Sequence, residues 1–220
     1  MYYLSFIRLI IFCLLSSTCL AQSGFEKQYG IGIMVVSYDS NFVLNLYASP
    51  HETDLALNVR FGKDTSDVNR PLTFKLTAEQ RTWMHPETFW DEEQLLHFVT
   101  LEAHQGWFKI VVDKQSGKTM WVLQCPQLTY FSWKNYLPNT TGIARKNIAT
   151  NPIYKNIFPY KTALHFKEQE GLKIIKVRGK WAKIGFSTEL SPHLNQYVTL
   201  PKGWIKWRDE EDLLIQYFLR

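Results

Sequence analysis

A tryptophan-bearing hairpin pattern occurs twice in this 220-residue chain, and it limits the possible folds more than any other feature. The first copy reads Gly-Trp-Phe-Lys-Ile over 106–110 and leads, after a hairpin turn at 115–118, to a strand that contains Trp121. The second reads Gly-Lys-Trp-Ala-Lys-Ile over 179–184 and leads, after a longer connection, to Gly-Trp-Ile over 203–205. An inward tryptophan and an aromatic ring on its hairpin partner form a compact cross-strand pair. The repeated pattern therefore predicts two copies of one small β unit.

Strand patterns continue along most of the chain and predict an all-β fold. The continuous apolar run 31–36 and the segment 42–47 are separated by the turn signal Asp-Ser-Asn at 39–41. Residues 55–61 alternate apolar and polar side chains, which is typical of a strand with one buried face. Further strands are predicted at 72–76, 95–101, 107–112, 120–123, 162–166, 172–177, 181–186, 204–207 and 213–218.

Residues 62–90 interrupt the first β unit and are predicted to be an insertion with short helices. Thr77 and Gln80 form a capping-box signature, which predicts one or two helical turns over 77–84. Pro86 precedes the acid-rich stretch 87–93, and acids in a first turn favour a second short helix through the helix dipole.

Prolines and polar turn residues concentrate in 126–160, including Asn-Thr-Thr-Gly at 139–142, and predict a surface connector. The predicted organisation is a first β unit over 30–125, the connector over 126–160 and a second β unit over 161–220.

Residues 1–21 have the pattern of a secretory signal peptide, with one base, no acid and an apolar run of seven residues at 9–15. A membrane-spanning helix needs ~20 apolar residues, so no integral membrane segment is expected after cleavage. Cys19 and Ala21 are small residues suited to signal peptidase cleavage before Gln22. The sequence therefore predicts export to the periplasm or cell surface. The alternative is a lipoprotein in which Cys19 carries the lipid.

Charge and cysteine usage bear on the disulfides and on the surface of the exported chain. Cleavage would leave only Cys125, so no intramolecular disulfide is expected. The stretch from Lys134 to Lys183 carries 11 Lys and Arg against two Glu. This basic stretch suits contact with an anionic envelope polymer or lipid headgroup, or it is a set of solvated strand edges on which Lys prevents aggregation.

The hairpin motifs resemble the bacterial Src homology 3-like domains of exported proteins. Leu-Asn-Leu-Tyr-Ala-Ser-Pro over 44–50 resembles the first element of that family's pattern, 106–110 the second and 121–122 the third. The second copy resembles the last two elements, at 179–184 and 203–205. The resemblance implies two small Src homology 3-like β-barrels, the first with an insertion. It also implies a noncatalytic protein that binds peptidoglycan or its peptides.

Aromatic side chains are the candidate ligand-binding residues, because exposed rings stack on sugar faces and peptide side chains. The predicted set is Tyr47, Trp107, Trp121, Tyr130, Trp133, Trp181, Trp204 and Trp207. Aromatic and basic surface would also suit nucleic acid, but export argues against that partner.

No cofactor and no metal site is predicted, because His97 and His104 point to opposite faces of a strand and no His-x-His pattern occurs. The favoured hypothesis is a noncatalytic envelope binding or adaptor protein that holds peptidoglycan or a peptide in aromatic grooves. One alternative is a hydrolase with a site in 62–97, using His85 with Asp91. Another is a structural partner of an envelope protein, bound through the basic connector.

Overall fold

The computed structural model describes residues 29–39, 41–51, 55–60, 76–90, 93–157, 163–164, 171–186, 202–210 and 212–219. These residues are mostly antiparallel β-structure, so the predicted all-β class is confirmed. The predicted signal peptide and Cys19 lie outside the described residues, as does most of the insertion before Leu76.

Seventeen strands, two short α-helices and one 3₁₀-helix are present among the described residues. The strands are β1 (Gly32–Val36), β2 (Val43–Leu46), β3 (Leu57–Arg60), β4 (Thr88–Trp90), β5 (Leu95–His104), β6 (Trp107–Asp113), β7 (Lys118–Leu123), β8 (Leu128–Ser132), β9 (Gly142–Arg145), β10 (Ile153–Tyr154), β11 (Ala163–Leu164), β12 (Leu172–Arg178), β13 (Trp181–Phe186), β14 (Gly203–Lys206), β15 (Arg208–Asp209), β16 (Asp212–Leu213) and β17 (Ile215–Phe218). The helices are α1 (Ala78–Trp83), α2 (Trp133–Tyr136) and the 3₁₀-helix Leu137–Asn139.

The first sheet has the order β7-β6-β5-β1-β8, and β4 also pairs with β5. Its central strands are buried on both faces. Met34 and Phe98, paired between β1 and β5, belong to a first core that also holds the β2–β3 hairpin. Their neighbours Ile33 and Val99 belong to a second core on the opposite face of the sheet. This double burial explains why 31–36 is a continuous apolar run instead of an alternating one.

The second sheet has the order β11-β10-β14-β13-β12-β9-β17. Its apolar face forms the rest of the second core, with Ile174, Ile184 and Ile205 fully or almost fully buried. The first sheet is therefore sandwiched between the two cores.

The two tryptophan hairpins share the position of the tryptophan and the register of a Lys–Trp pair, but the positive-φ glycine is the second turn residue in the first and the first turn residue in the second. Trp107 begins β6 and Trp181 begins β13. A glycine with positive φ precedes each tryptophan by one or two residues: Gly106, with φ 81°, and Gly179, with φ 58°. Lys109, two residues after Trp107, lies opposite Trp121 in the hairpin register. Likewise Lys183, two residues after Trp181, lies opposite Trp204.

The insertion holds one of the two predicted helices. The Thr77–Gln80 capping box is formed at the start of α1, as predicted. The prediction of a second helix over 87–93 was wrong for the residues that the structure describes. Thr88–Trp90 is strand β4 instead. Thr, Phe and Trp favour strands, and pairing with Leu95–His97 of β5 supplies ladder hydrogen bonds that outweigh a dipole interaction of a few tenths of a kcal/mol.

The predicted connector 126–160 supplies strands to both sheets. Its first strand, β8, pairs with β1 along Leu128–Ser132, whereas β9 and β10 join the second sheet. Cys125, at its start, is half-buried against the first core. The longest α-helix in the described ranges has six residues, and none there is long or apolar enough to cross a bilayer.

Candidate functional site: a cleft where the two sheets meet

The eight aromatic residues predicted to bind a ligand are buried or half-buried, and none is fully exposed. Trp107, Trp133 and Trp207 are buried, with exposed fractions of 7%, 3% and 2%. The half-buried residues are Tyr47, Trp121, Tyr130, Trp181 and Trp204. The structure places none of the eight in the lining of the cleft described below.

The buried tryptophans have structural partners. Trp107 packs edge-on against Tyr47, with ring centroids 5.1 Å apart. The Nε1 of Trp133 donates a 2.8 Å hydrogen bond to the carbonyl oxygen of Tyr29. The Nε1 of Trp207 donates one of the same length to the carbonyl oxygen of Gly179. Because a buried indole N–H needs an acceptor, these bonds satisfy both rings inside the fold.

The half-buried rings also contact neighbours in the fold. The Lys109 ammonium lies 5.9 Å from the centroid of Trp121, to which it is also register-paired. The Lys176 ammonium lies 5.9 Å from the centroid of Trp204. Each ring therefore carries a cation over it.

A cleft of about 1730 Å³ opens where the insertion meets the second sheet. One wall is the continuous stretch 84–90, which ends in β4. The other is formed by the residues of 212–219 except Leu214, and it contains β17. Val99 and Val111 of the first sheet also line it. Ligand sites are commonly found in such clefts between packed units.

Exposed aromatic and cationic side chains line the cleft. Trp90 is 49% exposed and Phe218 is 36% exposed, and they are the two aromatic residues among the exposed large apolar side chains of the described ranges. Arg81, Lys114 and Lys146 also line it, and within the described ranges none of them is ion-paired with a carboxylate. The opposing acids are Glu87 and Asp212.

A hydrogen bond joins the two walls. The hydroxyl of Tyr217 on β17 donates to Glu87 Oε1 over 2.6 Å. Burial, followed by the negative charge of Glu87, raises the pKa of Tyr217 well above its ordinary value, so the hydroxyl stays protonated and remains a donor. Tyr217 packs edge-on against Tyr136, and their ring centroids are 5.6 Å apart. The hydroxyl of Tyr136 in turn lies 2.9 Å from Nδ1 of the buried His97. The walls are thus anchored to the second core.

A histidine oriented by a buried carboxylate also lines the cleft. His85 Nδ1 lies 3.0 Å from Asp113 Oδ1, and the imidazole is one third exposed. Asp113 is buried and accepts further hydrogen bonds from the Gln115 N–H and the Ser116 hydroxyl. Burial by itself raises the pKa of Asp113, but the bonds from Ser116, Gln115 and His85 together hold it below its ordinary value.

This arrangement can orient His85 for proton transfer, because a carboxylate on one ring nitrogen fixes the tautomer and leaves the other nitrogen for a ligand. Asp91, the partner predicted for His85, lies outside the described residues. Across the described part of the chain, no three His, Cys, Asp or Glu side chains are grouped so that they could hold a metal ion.

Sequence reasoning did not identify Trp90 and Phe218. Trp90 adjoins the acidic stretch that was interpreted as a helix start, and Phe218 ends the last predicted strand. A sequence signal was nevertheless present, because Trp90 and Phe218 are both large aromatic residues at the end of a short strand. A side chain at a strand end reaches solvent more readily than one in the middle of a sheet.

The chain was compared with models of protein families, with curated proteins and with solved structures, and none of the three comparisons finds a match.

Proposed function

We propose that this chain is a noncatalytic, exported binding protein of the bacterial cell envelope, and that its ligand-binding site is the cleft between 84–90 and 212–219. The ligand is peptidoglycan or a peptide. The observation that carries the proposal is the convergence on one cleft of exposed aromatic side chains and of cationic side chains that, within the described ranges, form no ion pair with a carboxylate.

The shape of the cleft supports binding of an extended chain. It is open and bounded by two walls of six or more residues each, so a polymer can enter without threading. Trp90 and Phe218 supply rings that stack on a sugar face or on an apolar side chain. We therefore assign ligand binding to this cleft and not to the aromatic rings of the two hairpins, because those rings pack against neighbours within the fold.

The charge of the cleft favours a ligand with carboxylates. Arg81, Lys114 and Lys146 face two acids, and one of those acids, Glu87, already accepts a hydrogen bond from Tyr217. Free carboxylates occur on wall peptides and on acidic side chains. Exposed charge interactions are screened over about 10 Å at 0.1 M salt, so binding should weaken as salt rises.

The matched geometry of the two tryptophan hairpins supports a tandem origin. Trp107 corresponds to Trp181, and the two register-paired Lys–Trp positions correspond to each other. We infer two Src homology 3-like units, which in exported proteins serve as wall-binding modules.

Retention on purified, insoluble peptidoglycan tests the proposed function. The full mature chain is incubated with the polymer at low and high salt, and the bound fraction is measured after sedimentation. We expect salt-sensitive retention that the variant Trp90→Ala loses. Leu123→Ala is the matched control, because Leu123 has the same 49% exposure but lies away from the cleft. No retention at any salt concentration would overturn the proposal.

A hydrolase is the second candidate function, and the His85–Asp113 pair favours it. An imidazole held by a buried carboxylate at a cleft is the arrangement of a general base. Incubating the chain with peptidoglycan and measuring released soluble fragments tests this candidate. Release that His85→Ala abolishes would replace the binding proposal with a catalytic one.

A further inference from the structure

We propose that the outer face of the second sheet binds a membrane surface that carries anionic lipid headgroups. This inference goes beyond the proposed function, because none of the residues that it uses lines the cleft. It rests on the charges and on the exposed apolar side chain that β12, β13 and β14 bring together on the side of the sheet facing away from the second core.

The register of these three antiparallel strands defines the outer face. Residues directly opposite each other in antiparallel strands lie on the same face of the sheet. On β13, Ala182 and Ile184 are buried in the second core, so Trp181 and Lys183 point to the outer face. Their register partners complete two cross-strand rows, which we call the basic face: Lys176, Lys183 and Trp204 in one row, and Arg178, Trp181 and Lys206 in the other.

Four of the six residues of the basic face are cations, and no acid occupies either row. Lys206 lies 3.7 Å from Asp209. Among the residues that the structure describes, the other three cations form no ion pair with a carboxylate. Lys176 lies directly opposite Lys183. Because like charges at opposite positions destabilise a sheet, an anionic surface would relieve a repulsion that the fold itself leaves in place.

The position of Lys183 separates binding from protection of a sheet edge. Lysines on an edge strand prevent that strand from pairing with other chains. Strand β13 is not an edge, because it pairs with β12 on one side and with β14 on the other. Edge protection therefore does not account for Lys183, whereas attraction of an anionic surface does.

Ile175 adds an exposed apolar side chain to the same side of the sheet. It is 46% exposed, and its Cδ1 lies 3.1 Å from the position that a Cβ on Gly185 would occupy. Gly185 follows Lys183 by two residues on β13, so both positions are on the outer face. The half-buried Trp181 lies between cations of the basic face. Tryptophan and long cationic side chains are typical of the boundary between lipid headgroups and acyl chains.

The layout of the basic face suits a membrane surface better than a single polymer chain. Its cations lie on three strands that are about 4.8 Å apart, and they recur along each of β12 and β14 about 7 Å further on. The charges are therefore spread in two directions, as lipid headgroups are. Anionic lipids attract Lys and Arg near their surface, and Ile175 can enter the headgroup region, whereas a soluble phosphate polymer offers it no apolar contact.

Sedimentation of the protein with lipid vesicles tests the proposal. The probes are vesicles of phosphatidylglycerol mixed with phosphatidylcholine, vesicles of phosphatidylcholine alone, and soluble polyphosphate. The test variant combines Lys176→Gln with Lys183→Gln. The matched control combines Arg60→Gln with Lys118→Gln, which removes the same charge from exposed positions on β3 and β7. Residues 1–21 are the same in every variant, so any contribution of their apolar run cancels in the comparison.

We expect the protein to sediment with the phosphatidylglycerol vesicles and not with phosphatidylcholine alone. The test variant should bind the anionic vesicles about thirtyfold more weakly, because two attractions to the surface are lost. The control variant should change binding little. Lys176→Arg combined with Lys183→Arg keeps both charges and should bind as the unchanged protein does. Ile175→Ala should weaken binding to the vesicles and leave binding to polyphosphate unchanged.

Equal binding to both kinds of vesicle, or binding to neither, would overturn the proposal. An equal loss in the test and control variants would also overturn it, because net charge and not the basic face would then be responsible. Binding of polyphosphate without binding of vesicles would overturn it in favour of a soluble phosphate polymer. None of these results bears on the cleft, whose ligand is tested with peptidoglycan.

Discussion

Tyr217 donates a 2.6 Å hydrogen bond from its hydroxyl to Glu87 Oε1, and this contact ties the last strand of the second sheet to the segment that leads into β4 of the first. The two residues are 130 positions apart in the chain. Both line the cleft, so the bond sets how the two walls stand relative to each other.

Tyr217→Phe should destabilise the fold without emptying any volume. A hydrogen bond to a carboxylate contributes more than one between neutral groups, so we expect a loss of about 2 kcal/mol in the free energy of unfolding, measured with urea. Tyr47→Phe is the control, because Tyr47 is also half-buried and its hydroxyl has no hydrogen bond among the described residues. Equal stabilities of the two variants would contradict the assigned role of the Tyr217 hydroxyl.

His97 should make the protein lose stability in mildly acidic solution. Burial lowers the pKa of His97 from 6.5 to about 4 in the folded state. The unfolded chain therefore binds a proton as the pH falls below 6.5, while the folded protein does not until about pH 4. The stabilisation is complete above pH 6.5 and declines as the pH falls. Between pH 7 and pH 5 the loss should be about 2 kcal/mol.

His97→Gln should remove that part of the pH dependence, as measured by urea unfolding at the two pH values. His104→Gln is the control, because His104 is exposed at the end of β5 and should leave the pH dependence intact. An unchanged slope in the His97 variant would show that another group is responsible.

Gly106→Ala and Gly179→Ala should cost similar amounts of stability, because both glycines have positive φ although they occupy different positions of their turns. The comparison tests the energetic equivalence of the two turns. No atom lies within 4 Å of a Cβ built at either position, so the cost comes from the positive φ and not from a clash. We expect about 1 kcal/mol for each alanine and less for asparagine, which tolerates this conformation better. Denaturant unfolding measures both series, and a large loss at one glycine with none at the other would contradict the equivalence.

Asp113→Asn should destabilise the β6–β7 turn. The buried carboxylate accepts hydrogen bonds from His85, Gln115 and Ser116, and an amide replaces one acceptor oxygen by a donor. We expect a loss of about 2 kcal/mol in the free energy of unfolding. The same substitution at the exposed Asp209, which is within ion-pair distance of Lys180 and Lys206, should change it by less than about 0.5 kcal/mol.

Local patterns predicted the hairpins and helix α1 because the relevant interactions are close in sequence. The Trp107–Leu123 hairpin depends on a short turn, and the Thr77–Gln80 capping box spans three residues. The start predicted for β1, at residue 31, differs from the observed strand by one residue.

Pairings across the chain were not readable from the sequence. The register of β1 with β8 places Ile33 opposite Phe131, and neither segment contains a signal that specifies the other. The prediction of a helix after Pro86 was wrong for the same reason. Strand β4 forms there because it pairs with β5, and this tertiary pairing leaves no local signal in the sequence. The cleft is formed by two segments more than 100 residues apart, so composition could indicate that aromatic rings bind a ligand but not which rings face it.

Trp90→Ala should weaken binding of peptidoglycan fragments roughly five- to tenfold, because an exposed ring that stacks on the ligand contributes about 1 to 1.4 kcal/mol. Titration calorimetry with soluble fragments measures the affinity. Leu123→Ala should bind as the unchanged protein does.

The most direct measurement of the central claim is an NMR chemical-shift titration of the protein with soluble peptidoglycan fragments. The cleft proposal predicts that the shifted amides fall in 84–90 and 212–219. Shifts confined to the Trp121 and Trp204 hairpins, or no shifts at saturating fragment concentration, would contradict it.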